Sequence, residues 1–140
     1  FALPDRPRLP GRLLVFKLGG KATVADYQIP QKVNLDLTGV TTTGDVQRGF
    51  ALFHNNCQVC HGPNASGAFL PDLKRSQMLL SPDSFSQVVV GGALAPRGMP
   101  SFKQYLTAAE AEDLRAYIIA EAKGQPMPAV PAAKGGAPAT

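Results

Sequence analysis

Cys57-Gln58-Val59-Cys60-His61 is the stretch of this 140-residue chain whose residue types and spacing prescribe a chemistry. Two cysteines three apart on a helical turn project to the same side, where each thiol can add to one vinyl group of a porphyrin. The imidazole that follows then lies under the iron and can bind it as the proximal ligand. Cys-x-x-Cys-His is the attachment signature of c-type haem. A thioether suits the opposite position, and Met/His ligation raises the reduction potential for electron transfer. Met99 is the candidate, because Pro100 biases it toward an extended conformation that lets a long side chain reach inward. The expected cofactor is one covalent haem c, with His61 and Met99 on the iron.

Other readings compete. A redox dithiol calls for a βαβ setting, and no such alternation surrounds Cys57. A zinc site is arithmetically open, since the chain holds two cysteines and two histidines. Structural zinc, however, draws on two separated ligand pairs, whereas His54, Cys57, Cys60 and His61 crowd together. A Cys57–Cys60 disulfide would close too short a loop to stabilise much. Met99 could also be core filler, as most methionines are. Its rivals for the iron lack its setting: Met78 precedes a helix, and Met127 lies in a Pro/Ala-rich tail.

Composition supports one domain with trimmings. A hydrophobic fraction of 44% can form a core, while 14 glycines and 13 prolines indicate long irregular stretches. The net charge of +4 is spread out, with no basic run that argues for nucleic acid; it would rather steer an acidic redox partner. No stretch approaches the ~18–20 apolar residues of a membrane span. The chain opens on Phe1 without a charged-then-apolar leader, which reads as a mature product, a proteolytic piece or a designed segment.

Three helices must position the motif. The first runs from about Gly44 into Cys57, with Thr43 or a neighbour as cap and Asp45 in its first turn. Val46, Gly49/Phe50, Phe53 and Cys57 share one face; His54 is expected on a solvated polar face. Ser81-Pro82 starts a second helix, which buries Phe85, Val88 and Val89 and ends at Gly91-Gly92. Thr107-Ala108-Ala109-Glu110 is a capping box; it opens a last helix whose apolar face holds Leu114, Tyr117 and Ile118 and which ends at Gly124.

Residues 43–124 resemble class I cytochromes c, through the haem motif, the Gly-Met-Pro loop followed by an aromatic, and the order of helices. The resemblance implies an all-α fold of three main helices around haem c. It makes Gly49, eight before the first cysteine, the point of close helix contact, and Phe53 an aromatic beside the haem. It implies that Leu114 and Tyr117 pack where the last helix crosses the first. It gives Pro71 the carbonyl that accepts the histidine ring N–H, fixing the tautomer and raising ligand basicity, and gives Leu73 a haem-packing role. Pro71 as a plain turn residue is the competing reading. Arg97, bordering the Met99 loop, could pair with a haem propionate or contact a dehydrogenase domain; a solvated charge is the alternative.

Residues 1–42 are expected as an extended arm or linker. The run from Arg12 to Leu18 is β-leaning and closes at Gly19-Gly20, yet one strand cannot bury its apolar face alone. Gly11 to Gly20 resembles the final propeller strand of pyrroloquinoline quinone (PQQ) dependent alcohol dehydrogenases, whose quinohaemoprotein members carry a C-terminal cytochrome c domain. An arm packed on the cytochrome is the rival account. Residues 125–140, rich in Pro, Ala and Gly, form an irregular tail. The resemblance implies one-electron relay from reduced PQQ to an external partner or quinone, in an exported, periplasmic protein. This chain alone would be an electron-transfer domain without a catalytic site, since PQQ belongs to the parent. A free periplasmic shuttle is the alternative, and a catalytic or gas-sensing haem with an open site the third.

Overall fold

The computed structural model describes residues 13, 15–23, 33–67 and 70–127. Contacts divide the chain into two units, Phe1–Val33 and Asn34–Thr140.

In the first unit, residues 15–18 adopt no regular structure and end in a turn, where the Gly20 N–H donates to the Lys17 carbonyl at 2.9 Å. The expected strand has no ladder partner among the described residues. Leu13, Val15, Phe16 and Leu18 are all exposed. The turn signals before residue 13 and most of the linker after residue 23 lie outside the described residues.

The second unit is helical. Helix α1, Val46–Asn56, buries Gly49 and Phe53. Its cap is Asp45 itself, whose side chain accepts from the Arg48 N–H at 2.8 Å. The sequence leads one to expect the cap at Thr43 or a neighbour, with Asp45 in the first turn. The helix instead starts at Val46, so Asp45 stands at the capping position, and Thr43 donates its N–H to Glu112 at 3.3 Å. Helix α2, Gln58–His61, is a single turn that carries the motif. Short 3-10 turns, Leu73–Arg75 and Gln77–Leu80, lead to α3, Pro82–Val89, which Ser81 caps with Pro82 in the first turn. A further 3-10 turn, Ala95–Arg97, precedes the Met99 loop. Helix α4, Ala108–Ala122, starts at the Thr107/Glu110 capping box. Only the beginning of the tail, residues 125–127, is described, and Met127 packs on the core. Among the described residues no helix is long and apolar enough to cross a membrane.

Helix α4 is the centre of the unit, with every residue from Asp113 to Ala120 buried. Helix α1 covers one side. They approach so closely at Gly49 that a Cβ there would run into the Asp113 carbonyl and stand 3.0 Å from the Tyr117 Cβ. Helix α3 and the 3-10 turns before it cover another side. The stripe Glu112, Arg115 and Lys123, at three-to-four spacing or its multiples, meets the chain that leads into α1. There the Thr42 hydroxyl donates to Glu112 at 2.8 Å, Arg115 donates to the Thr41 carbonyl at 2.8 Å, and Lys123 to the Val40 carbonyl at 3.2 Å. Leu37 is buried in the core, and Leu35 and Val40 pack against it. Residues 34–42 are thus a strap belonging to this unit.

The strap depends on a buried guanidinium. Arg115 donates twice to Glu112, at 2.7 and 2.8 Å, and once to the Leu79 carbonyl at 2.7 Å. A buried charge without such partners is strongly unfavourable; here hydrogen bonds to a carboxylate and two carbonyls account for it.

Candidate functional site

Helix α1 delivers Cys57, α2 delivers Cys60 and His61, and the two helices are nearly continuous. Cys57 closes the last turn of α1 by donating its N–H to the Phe53 carbonyl at 2.8 Å. Its own carbonyl then accepts the N–H groups of Cys60 at 3.2 Å and His61 at 3.0 Å. The helical turn expected for the motif is therefore formed. Both cysteines are free thiols, Cys57 half-buried and Cys60 exposed. Burial, with a smaller contribution from Cys60, pushes the Cys57 thiol up to about 11, so it is protonated at neutral pH.

His61 is buried, and its Nδ1 is shut away from water without a fully formed hydrogen bond. Burial holds the ring below the ordinary imidazole range; the Pro71 carbonyl, close enough to attract the ring N–H, opposes that. The loop between them is tightly folded. The His61 carbonyl accepts the Gly67 N–H at 2.8 Å, and the Ala65 carbonyl accepts the Leu73 N–H at 2.9 Å. Ala65 is fully buried in the left-handed region, at φ 55. A non-glycine residue there is uncommon and marks a loop whose conformation its surroundings impose.

The remaining candidates are dispersed around this turn. Phe53 is fully buried, its ring 5.1 Å from Tyr117. Leu73 and Met99 are partly buried and pack on the same core as Cys57. Arg97 is exposed. Met127 also packs on that core, so burial does not separate it from Met99; the Gly98-Met99-Pro100 setting does. His54 departs from its expected solvated face. Its ring stacks at 4.0 Å on Phe50, Nδ1 lies 2.9 Å from the Phe50 carbonyl, and it is half-buried.

Tyr117 reaches over the site from α4 and donates its hydroxyl to the Pro63 carbonyl at 3.1 Å. Burial first, then Glu121, pushes that phenol above its usual range. Sequence reasoning placed Tyr117 on the helix crossing and missed this bond. It also missed Glu112, Asp113 and Arg115, whose signal was three charges in a stretch, Ala111 to Ala120, otherwise apolar all round.

The donor set discriminates between cofactors. Among the described residues no three His, Cys, Asp or Glu side chains converge to hold a bare metal ion. Two unpaired thiols and a buried imidazole on one turn suit a porphyrin that brings its own four nitrogens. Such a group would need from the chain only two thioether bonds and axial ligands.

Comparison with known proteins gives the same direction. The family model described as "Cytochrome C oxidase, cbb3-type, subunit III" matches residues 44–118. The chain is 40% identical over 119 residues to quinohemoprotein alcohol dehydrogenase ADH IIB of Pseudomonas putida, covering 79% of this chain and 17% of that protein. It is 35% identical over 127 residues to the 1-butanol dehydrogenase (cytochrome c) of Thauera butanivorans, covering 87% of this chain and 18% of that protein. With lupanine 17-hydroxylase [cytochrome c] of a Pseudomonas species it shares 35% over 121 residues, 81% of this chain and 16% of that protein. The chain thus spans less than a fifth of the length of these relatives.

Proposed function

Because this chain belongs to the cytochrome c family that the cbb3-type subunit III model describes, we propose that it moves single electrons through one covalently bound, His/Met-ligated haem c. Cys57 and Cys60 would hold the porphyrin through thioethers, and His61 and Met99 would bind its iron. When bound, the haem supplies the Fe(II)/Fe(III) couple. The chain would hold His61 and Met99 in place, so that neither would need to move when the haem gains or loses an electron. The Pro71 carbonyl fixes the His61 tautomer and strengthens it as a donor. Phe53 and Leu73 exclude water from the ring, and Arg97 is placed to meet a propionate or a partner domain.

The observation that carries this reading is the turn itself, two free thiols and a buried imidazole joined through the Cys57 carbonyl. Extraction into acidified organic solvent tests it. Pigment that stays with the polypeptide supports thioether attachment, and pigment that washes out ends the case.

The larger role we propose is that of haem domain in a PQQ-dependent quinohaemoprotein alcohol dehydrogenase of the periplasm, passing electrons from reduced PQQ to an external acceptor or quinone. The relatives' names and lengths support it. So do Leu13, Val15, Phe16 and Leu18, which are apolar and exposed and suit a strand whose two faces are both covered in a larger protein. A free-standing shuttle would leave them in water. In this division, residues 1–42 link the haem domain, 43–124, to the dehydrogenase, and 125–140 form the tail. The coding sequence upstream of Phe1 tests it: several hundred β-rich residues support the fusion, and a signal peptide directly before Phe1 refutes it.

A further inference from the structure

Gly67 has no chemistry of its own, yet it stands where the loop behind His61 is tightest. It adopts φ 63, and a Cβ built on it would lie 2.8 Å from the Pro71 carbonyl oxygen and 2.9 Å from its carbon, and closer still to the Leu70 carbonyl. Real Cβ atoms do not approach backbone so closely, and a carbonyl cannot rotate away as a flexible side chain can. The same residue donates its N–H to the His61 carbonyl at 2.8 Å. One glycine therefore touches the ligand's own backbone on one side and the ligand's acceptor on the other.

We propose that Gly67 is a positioning residue for the proximal ligand, its missing side chain allowing the Pro71 carbonyl to stand against the His61 ring. The proposal rests on His61 and Pro71 acting as described above. Adding a Cβ drives the carbonyl away from the ring. In the haem-loaded protein the imidazole would then lack an acceptor for its ring N–H, donate less charge to iron and stabilise Fe(III) less, so the reduction potential rises.

The test compares Gly67→Ala with Gly124→Ala in the haem-loaded protein. Gly124 has the same φ of 63 but open space around it, so it carries the backbone strain without the collision. The readouts are the reduction potential and the NMR signal and solvent exchange of the His61 Nδ1 proton. Gly67→Ala is expected to raise the potential, shift that resonance and speed its exchange by roughly fivefold, the factor belonging to one net hydrogen bond. Gly124→Ala is expected to leave all three at wild-type values. Equal behaviour of the two variants overturns the proposal. If Gly67→Ala yields no haem-loaded protein, Gly67→Asn takes its place, because asparagine tolerates this φ while still adding a Cβ. If neither Gly67 variant loads while Gly124→Ala does, the proposal also falls, since the glycine then serves folding rather than ligand tuning. A wild-type spectrum without a sulfur-to-iron charge-transfer band would instead count against Met99 ligation alone.

Discussion

The Cα of Gly49 rests directly against the backbone carbonyl of Asp113, with no room for even a methyl group between them. That contact sets the spacing of α1 and α4, and the rest of the unit is built outward from it. Substitution to alanine in mid-helix ordinarily gains up to ~1 kcal/mol of helix propensity. Here the added carbon meets backbone, and overpacking of this kind costs about 1–3 kcal/mol, so the clash wins. Gly49→Ala should lower the denaturation midpoint, and a stabilised variant would show that the helices can part without penalty.

The Glu112–Arg115 pair fastens the strap. Arg115 is 1% exposed, so removing its carboxylate partner leaves a guanidinium with no access to water. Glu112→Ala should cost about 3–5 kcal/mol, measurable by denaturant titration. It should also make the backbone near Thr41–Thr43 more open to protease. A loss below ~1 kcal/mol would mean the two carbonyls suffice.

Asp113 behaves differently, because its partner Arg48 keeps 65% of its side chain in water. Asp113→Asn should therefore cost only about 1–2 kcal/mol at neutral pH. The Arg48 hydrogen bonds hold the carboxyl below its usual range, against the opposing effect of burial. A depressed carboxylate contributes stability that is full above the unfolded value of ~3.9 and is lost as pH falls through the folded value. Glu112, held down chiefly by Arg115, acts in the same sense. Wild-type stability should thus fall below about pH 4, and Asp113→Asn should flatten that acid limb. An unchanged limb would assign acid sensitivity to other groups.

Met99→Ala should leave the haem attached while opening one iron position to exogenous ligands and lowering the potential. Loss of the near-infrared sulfur-to-iron band and a redox titration check this. An unaltered spectrum and potential would transfer the ligand role elsewhere, Met127 being the other methionine packed on the core.

Local signals in the sequence were strong wherever a single turn decides the outcome. The Thr107/Glu110 box, the Ser81-Pro82 start and the motif turn depend on neighbours three or four residues away, and the structure has all three. What could not be read depends on long-range partners. Asp45 caps α1, and Glu112, far downstream, holds the Thr42 hydroxyl and the Thr43 N–H just before it. His54 looked like a surface residue until Phe50 and Tyr117 closed around it. The alternating Val33, Leu35 and Leu37 read as an extended segment against one side of the haem domain, but nothing local showed that Glu112, Arg115 and Lys123 would hold it. The run 13–18 shows the same limit from the other side, for its β-pattern has no matching sheet among the described residues.

Helix α4 has given every face from Asp113 to Ala120 to other parts of the chain. Opening this stretch uncovers buried side chains, Asp113, Arg115 and Tyr117 among them, as well as peptide bonds. Its amide hydrogens should consequently be the slowest in the molecule to exchange with deuterium, doing so only when the whole unit opens. The least yielding segment thus stands at the centre, and α1 and the loop after His61 lean on it through the Gly49 contact and the Tyr117–Pro63 bond.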